Sequence, residues 1–140
     1  MDEIEEVAFE LNSVAIHLVR RLRRADGQLG VTSSRLSALS VLVFGGPRSI
    51  NELAAAEQVS APTISKIVVA LEAAGLVRRR GHPTDARAVV LTATPKGVRL
   101  MERGRRNRVD VLAAELRLVP PADVAVLRRA AAILRGLEGG

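Results

Sequence analysis

Apolar residues recur at helical spacing along most of the chain, and the period changes once. Ile4, Val7, Leu11, Val14, Leu18 and Leu22 form one stripe over about six turns. Acids occupy its first turn and Arg20, Arg21, Arg23 and Arg24 its last, the polarity a helix dipole favours. Asp26-Gly27 predicts its end. Thr32 or Ser33 is the expected N-cap of a second helix running through Leu36, Leu39, Leu42 and Val43 to the break at Gly45-Gly46-Pro47.

Ser49-Ile50-Asn51-Glu52 has the form of a capping box, in which the Ser hydroxyl accepts from the Glu52 amide while the carboxylate reaches back. The short helix it opens should end near Gln58. Ser60-Ala61-Pro62 then supplies a new N-cap, with Pro in the first helical turn where its missing N–H costs nothing. Two helices joined by a very tight turn follow. The second turns Ile64, Ile67, Val68 and Leu71 inward and stops at Gly75, a residue suited to a left-handed C-cap.

Here the period changes. Residues 76–80 and 87–92 are short, β-branched-rich runs separated by Gly81-His82-Pro83-Thr84-Asp85-Ala86, which predicts a β-hairpin with a basic end. Thr94-Pro95 caps a long helix through Val98, Met101, Val109, Leu112 and Leu116, with Gly104 lowering its propensity without forbidding it. Beyond Pro120-Pro121 a last helix carries Val124, Leu127, Ala131, Leu134 and Leu137. The expected fold is mainly α with a small β-hairpin wing: one unit of 140 residues, with a head at 32–93 and helical arms at 1–26 and 94–138. The apolar stripes of those arms need burial, and a second copy of the chain is the simplest partner, so a homodimer is expected.

Composition narrows the picture. Phe9 and Phe44 are the only aromatic residues in a chain that is 48% hydrophobic, so the core must be built from small aliphatic side chains. With no Cys, disulfides, thiol chemistry and Cys-ligated zinc are excluded. No apolar run approaches the roughly 20 residues of a membrane span, and the start of the chain is acidic where a signal peptide is basic, so a cytoplasmic protein with no membrane partner is expected. The net charge of +6 understates how basic most of the chain is. The first twelve residues hold five acids and no base, leaving all 21 bases against ten of the 15 acids. Such a field attracts polyanions and speeds encounter with nucleic acid.

A capped short helix, a tight turn, a second helix with short polar residues and a basic hairpin make up what a winged helix-turn-helix requires. A helix entering the major groove should present hydrogen-bonding and cationic groups near its N-terminus, and Ser60, Thr63, Ser65 and Lys66 do so. Arg87, beside the hairpin tip, is placed to reach an adjacent minor groove, where narrow A·T-rich segments concentrate negative potential. Arg78, Arg79 and Arg80 add phosphate-seeking charge at the hairpin's base.

These residues carry a resemblance to the MarR family of bacterial regulators that spans nearly the whole chain in element order. It is sharpest in Ser49-Ile50-Asn51-Glu52-Leu53-Ala54, in the stretch from Ser60 through Lys66 to Arg79, and in Asp85-Ala86-Arg87 followed by Thr94-Pro95-Lys96-Gly97. The resemblance implies a dimer held by its terminal helices on a pseudo-palindromic operator in double-stranded DNA. Each recognition helix would lie in the major groove and each wing arginine in the flanking minor groove. Arg87 would then be the wing reader, with Asp85 orienting it or a neighbouring base, and Ser60, Pro62, Thr63, Ser65 and Lys66 would be recognition-helix positions. It also implies repression that a small-molecule effector relieves. The chain departs from the family at His82, where Asp is frequent, and at Ala93, where Leu is common. The family's effector pocket, between head and dimer helices, is often aromatic-lined, whereas this chain has no Tyr or Trp, so no ligand-binding residue is assigned.

Other chemistry is poorly supported. The two histidines belong to different elements, no nucleophile pairs with a base, and no Gly-rich phosphate loop is present, so neither enzyme activity nor a cofactor is expected. A metal site would need carboxylates and two distant histidines. Arg99, Arg103, Arg105, Arg106 and Arg108 read as a solvated or intersubunit face, His17 as a core or interface residue and His82 as a solvated turn. The expected function is sequence-specific DNA-binding transcriptional regulation. A winged helix also serves as a protein-interaction module or a ligand-independent regulator. An apolar face over residues 60–66 would mark the former, and the face here is polar.

Overall fold

The computed structural model describes residues 1–81, 84 and 88–137. Its helices are α1 (Glu3–Arg23), α2 (Ser33–Gly45), α3 (Ile50–Glu57), α4 (Ala61–Ala73), α5 (Pro95–Leu116) and α6 (Pro121–Leu137). Strands β1 (Val77–Gly81) and β2 (Val89–Ala93) lie between α4 and α5 and pair antiparallel, with Val77 opposite Ala93 and Gly81 opposite Val89.

Local chemistry sets most of the boundaries. Thr32, Ser49, Ser60 and Thr94 each accept a hydrogen bond from a backbone N–H of the first turn they open. At Ser49 the reciprocal Glu52 contact completes the box, and Asp2 with Glu5 forms a second one at the start of α1. Gly75 sits at φ 73°, the left-handed conformation that lets the chain turn sharply from α4 into β1.

The first stop lies further along than Asp26-Gly27. A 3-10 helix, Arg24–Leu29, continues α1 through those residues, and the left-handed turn comes at Gly30. Tertiary packing holds this segment. Leu29 lies so close to Gly104 of α5 that a Cβ there would come within 2.9 Å of its Cδ1, and Arg108 Nη1 donates to Asp26 Oδ1 at 2.7 Å. Gly104 is thus a docking point inside α5, which compensates for its low helix propensity. The hairpin also gains a third segment, since Arg48 and Leu91 exchange both backbone hydrogen bonds, at 3.1 and 2.7 Å.

Every buried apolar side chain among the described residues lies between Leu36 and Met101. Leu39, Leu53, Ile64, Val68, Leu71 and Leu91 are its fully enclosed centre, so α2, α3, α4 and β2 close around one aliphatic core, capped by Leu100 and Met101 of α5. α1 and α6 bury no residue.

Candidate nucleic-acid interface

α3 and α4 are joined by a turn of minimal length. Gln58 adopts φ 56°, and the Val59 N–H donates to the Ala54 carbonyl at 3.0 Å, so α3 ends and α4 begins within three residues. Leu53 and Ala54 of α3 and Ile64 and Val68 of α4 fix the pair against the shared core. The opposite face of α4 is left to solvent.

On that face Pro62, Thr63 and Lys66 are exposed, and Ser65 is half-buried. Ser60 is exposed too, but its hydroxyl serves as the cap: it accepts from the Thr63 N–H at 3.3 Å and donates to the Thr63 hydroxyl at 2.9 Å. The two side chains therefore form a coupled pair at the start of α4. Sequence reasoning missed Val69, which is 58% exposed and lies three and four residues beyond Lys66 and Ser65, on their side of the helix. An apolar group there is suited to the C5-methyl of thymine in a major groove. Its signal was the helical period itself, since the inward positions Ile64, Val68 and Leu71 leave Val69 pointing out.

The arginines of β1 divide. Arg79 Nε donates to Glu72 Oε1 of α4 at 2.6 Å, tying strand to recognition helix. Alternation along a strand sends Arg78 and Arg80 to the other side, and both are exposed. The part of Arg79 visible here is that of a brace between wing and helix. His82, Asp85 and Arg87 lie outside the described residues.

Electrostatics across the interface are simple. Only the Glu52 carboxyl is clearly shifted among the described residues: the Ser49 hydroxyl and then the Ser49 N–H hold it below its ordinary value, at the start of α3. The first turn of α4 contains no acid, so its helix-dipole positive end and the Lys66 ammonium lie on the same helix with no carboxylate between them.

A tight helix pair, an outward polar and cationic second helix and an arginine-bearing hairpin define a winged helix-turn-helix DNA-binding protein. Comparison with known proteins narrows the class. Residues 29–88 match the model of the MarR family. An uncharacterized HTH-type transcriptional regulator of Mycobacterium bovis is 31% identical over 137 residues, 98% of this chain and 96% of the relative. The chain belongs to the MarR family of transcriptional regulators. Among solved structures, a transcriptional regulator from Thermotoga maritima superposes with a TM-score of 0.86 at 22% identity, covering 95% of this chain and 94% of that one. A mutant of S. aureus MepR bound to an oligodeoxyribonucleotide superposes with a TM-score of 0.73 at 18% identity, covering 94% and 97%.

Proposed function

We propose that the protein is a homodimeric repressor that reads a pseudo-palindromic operator with α4 and the wing, in the cytoplasm. The observation that carries the dimer is the pair of helical arms: α1 and α6 are amphipathic, yet neither buries a side chain within one chain. Exposed apolar stripes of this length need a partner, and an isologous pairing of two chains covers them by symmetry. In the major groove, Thr63, Ser65 and Val69 supply base-edge and methyl contacts and Lys66 a phosphate contact at the groove edge, with Pro62 and the Ser60 cap at the helix entrance. Arg87, oriented by Asp85, reads the minor groove as the family resemblance implies. The bound oligodeoxyribonucleotide of the MepR mutant supports this reading.

A cavity of about 670 Å³ lies between the end of α1, the 3-10 helix, α2 and α5. Leu22, Leu36 and Met101 give it an apolar lining, and Ser37, Glu57 and Arg108 a polar one. Its size falls within the range of small-molecule sites, and it touches both the head and the arm helices. We assign it as the site of a releasing effector.

Footprinting on the region upstream of the chain's own coding sequence tests the proposal. A protected palindrome is the expected result, and protection of a single asymmetric half-site would contradict the dimer. If each protomer neutralises about four or five phosphates, log affinity falls with log salt at a slope of about −7 to −9. A flat salt dependence would contradict groove binding.

A further inference from the structure

The recognition helix ends against the beginning of α5 in an unusually complete joint. The last carbonyls of a helix have no partner within it and form the negative end of its dipole. Here the C-cap carbonyl of α4 and the two carbonyls that follow it, on the way into β1, are taken by two residues at the start of α5. Lys96 Nζ donates to the Ala74 carbonyl at 2.8 Å, the Thr94 hydroxyl to the Gly75 carbonyl at 2.6 Å, and the Thr94 N–H to the Leu76 carbonyl at 3.0 Å. The same Thr94 oxygen accepts from the Gly97 N–H at 3.1 Å, so one hydroxyl closes both helices. Gly97 makes the approach possible, because a Cβ there would overlap the Leu76 carbonyl oxygen and press on Leu39 Cδ1 at 3.2 Å.

We propose that Lys96, with Thr94 and Gly97, is a positioning residue for DNA reading: it locks the recognition helix to the arm and thereby sets the half-site spacing the dimer accepts. This rests on the dimeric reading above. A dimer reads half-sites about one helical turn apart, and the distance between its two recognition helices follows from the angle each makes with its own arm. Outside the core, this joint ties the end of α4 directly to the arm. Lys96 is a cation on the surface of a basic protein, yet its ammonium is committed to the negative end of α4, where its charge strengthens the contact. Its role is orientation, and DNA phosphate is not its partner.

The test uses full-length protein and duplexes selected by the wild type from a random double-stranded library, each also made with one base pair added or removed between the half-sites. Lys96→Met keeps the apolar stem and removes the ammonium, while Lys96→Arg restores a cation that can reach the same carbonyl. The expected result is that Lys96→Met loses about tenfold in discrimination between native and altered spacing, the worth of one hydrogen bond to a charged group. Its salt slope should stay that of the wild type, and Lys96→Arg should recover the discrimination. Thr94→Ser, which keeps the hydroxyl, should match the wild type, whereas Thr94→Val should behave like Lys96→Met. Unchanged spacing discrimination in Lys96→Met overturns the proposal. So does a salt slope smaller by about one with uniform weakening on every duplex, which would make Lys96 a phosphate contact. If the wild type itself ignores spacing, the dimer fails, and that outcome is read before any variant is made.

Discussion

The head and the arms are built from similar side chains and put them to opposite uses. In the head, Leu39, Leu53, Ile64, Val68, Leu71 and Leu91 are enclosed by their own chain. In the arms, Ile4, Val7, Leu11 and Val14 of α1 and Leu127 and Leu134 of α6 remain between 41% and 77% exposed. Periodicity alone does not separate these cases, since both read as amphipathic helices. What separates them is the company each stripe keeps. The head's helices are short and folded back by tight turns, so their faces meet, whereas α1 meets its own chain mainly at its C-terminal end, through the 3-10 helix and an Arg21–Glu115 ion pair of 2.8 Å to α5. The stripes that their own chain leaves open are the basis of the proposed pairing with a second chain.

The largest effects are expected from changes in the arms. Leu11→Asp on the α1 stripe should dissociate the dimer and cost about 10²–10⁴-fold in operator affinity, the avidity lost when two linked heads become one. Sedimentation and a binding titration on the same sample check both effects. Damage to the head should read differently. Leu39→Ala should cost about 2–5 kcal/mol in unfolding free energy while leaving the dimeric mass unchanged below the transition.

The sequence makes the local devices legible and leaves the tertiary ones obscure. Ser49, Ser60 and Thr94 announce helix starts because a cap needs only its own first turn, and Gly75 announces a stop for the same reason. Asp26-Gly27 misleads because its local chemistry is that of a terminator, while Leu29 and the Asp26–Arg108 pair, across 82 residues of sequence, keep the segment coiled. Arg48 pairs with β2 as a lone bridge, too short for any periodic signal. In the candidate site, the polar positions of α4 are readable from spacing. That Arg79 braces Glu72 depends on how β1 is placed against α4, and the charge run alone suggests only a phosphate-seeking end. Val69 lies on the exposed face of α4 yet has the residue type of a core.

Smaller effects sharpen the head's internal division of labour. Gly97→Ala should cost about 1–3 kcal/mol in thermal unfolding, because the Leu76 backbone cannot retreat from a new methyl group without moving β1. Lys66→Ala should weaken binding evenly across duplex sequences and reduce the salt slope by about one, the mark of a single phosphate contact. Ser49→Ala, at the cap of α3, should destabilise the fold by about 1 kcal/mol at neutral pH. Because the folded state holds the Glu52 carboxyl below its ordinary value, its contribution is present above that value and lost as pH falls through the depressed one. The gap between wild type and Ser49→Ala in denaturation titrations should therefore narrow in acid.

The claim that the open stripes of α1 and α6 bring two reading heads onto one DNA is tested most directly by sedimentation equilibrium of the wild-type protein, alone and on its selected duplex. The expected species has twice the 14.9 kDa chain mass and binds as two chains per duplex. A 14.9 kDa species at every concentration that still binds its duplex tightly as one chain would contradict it.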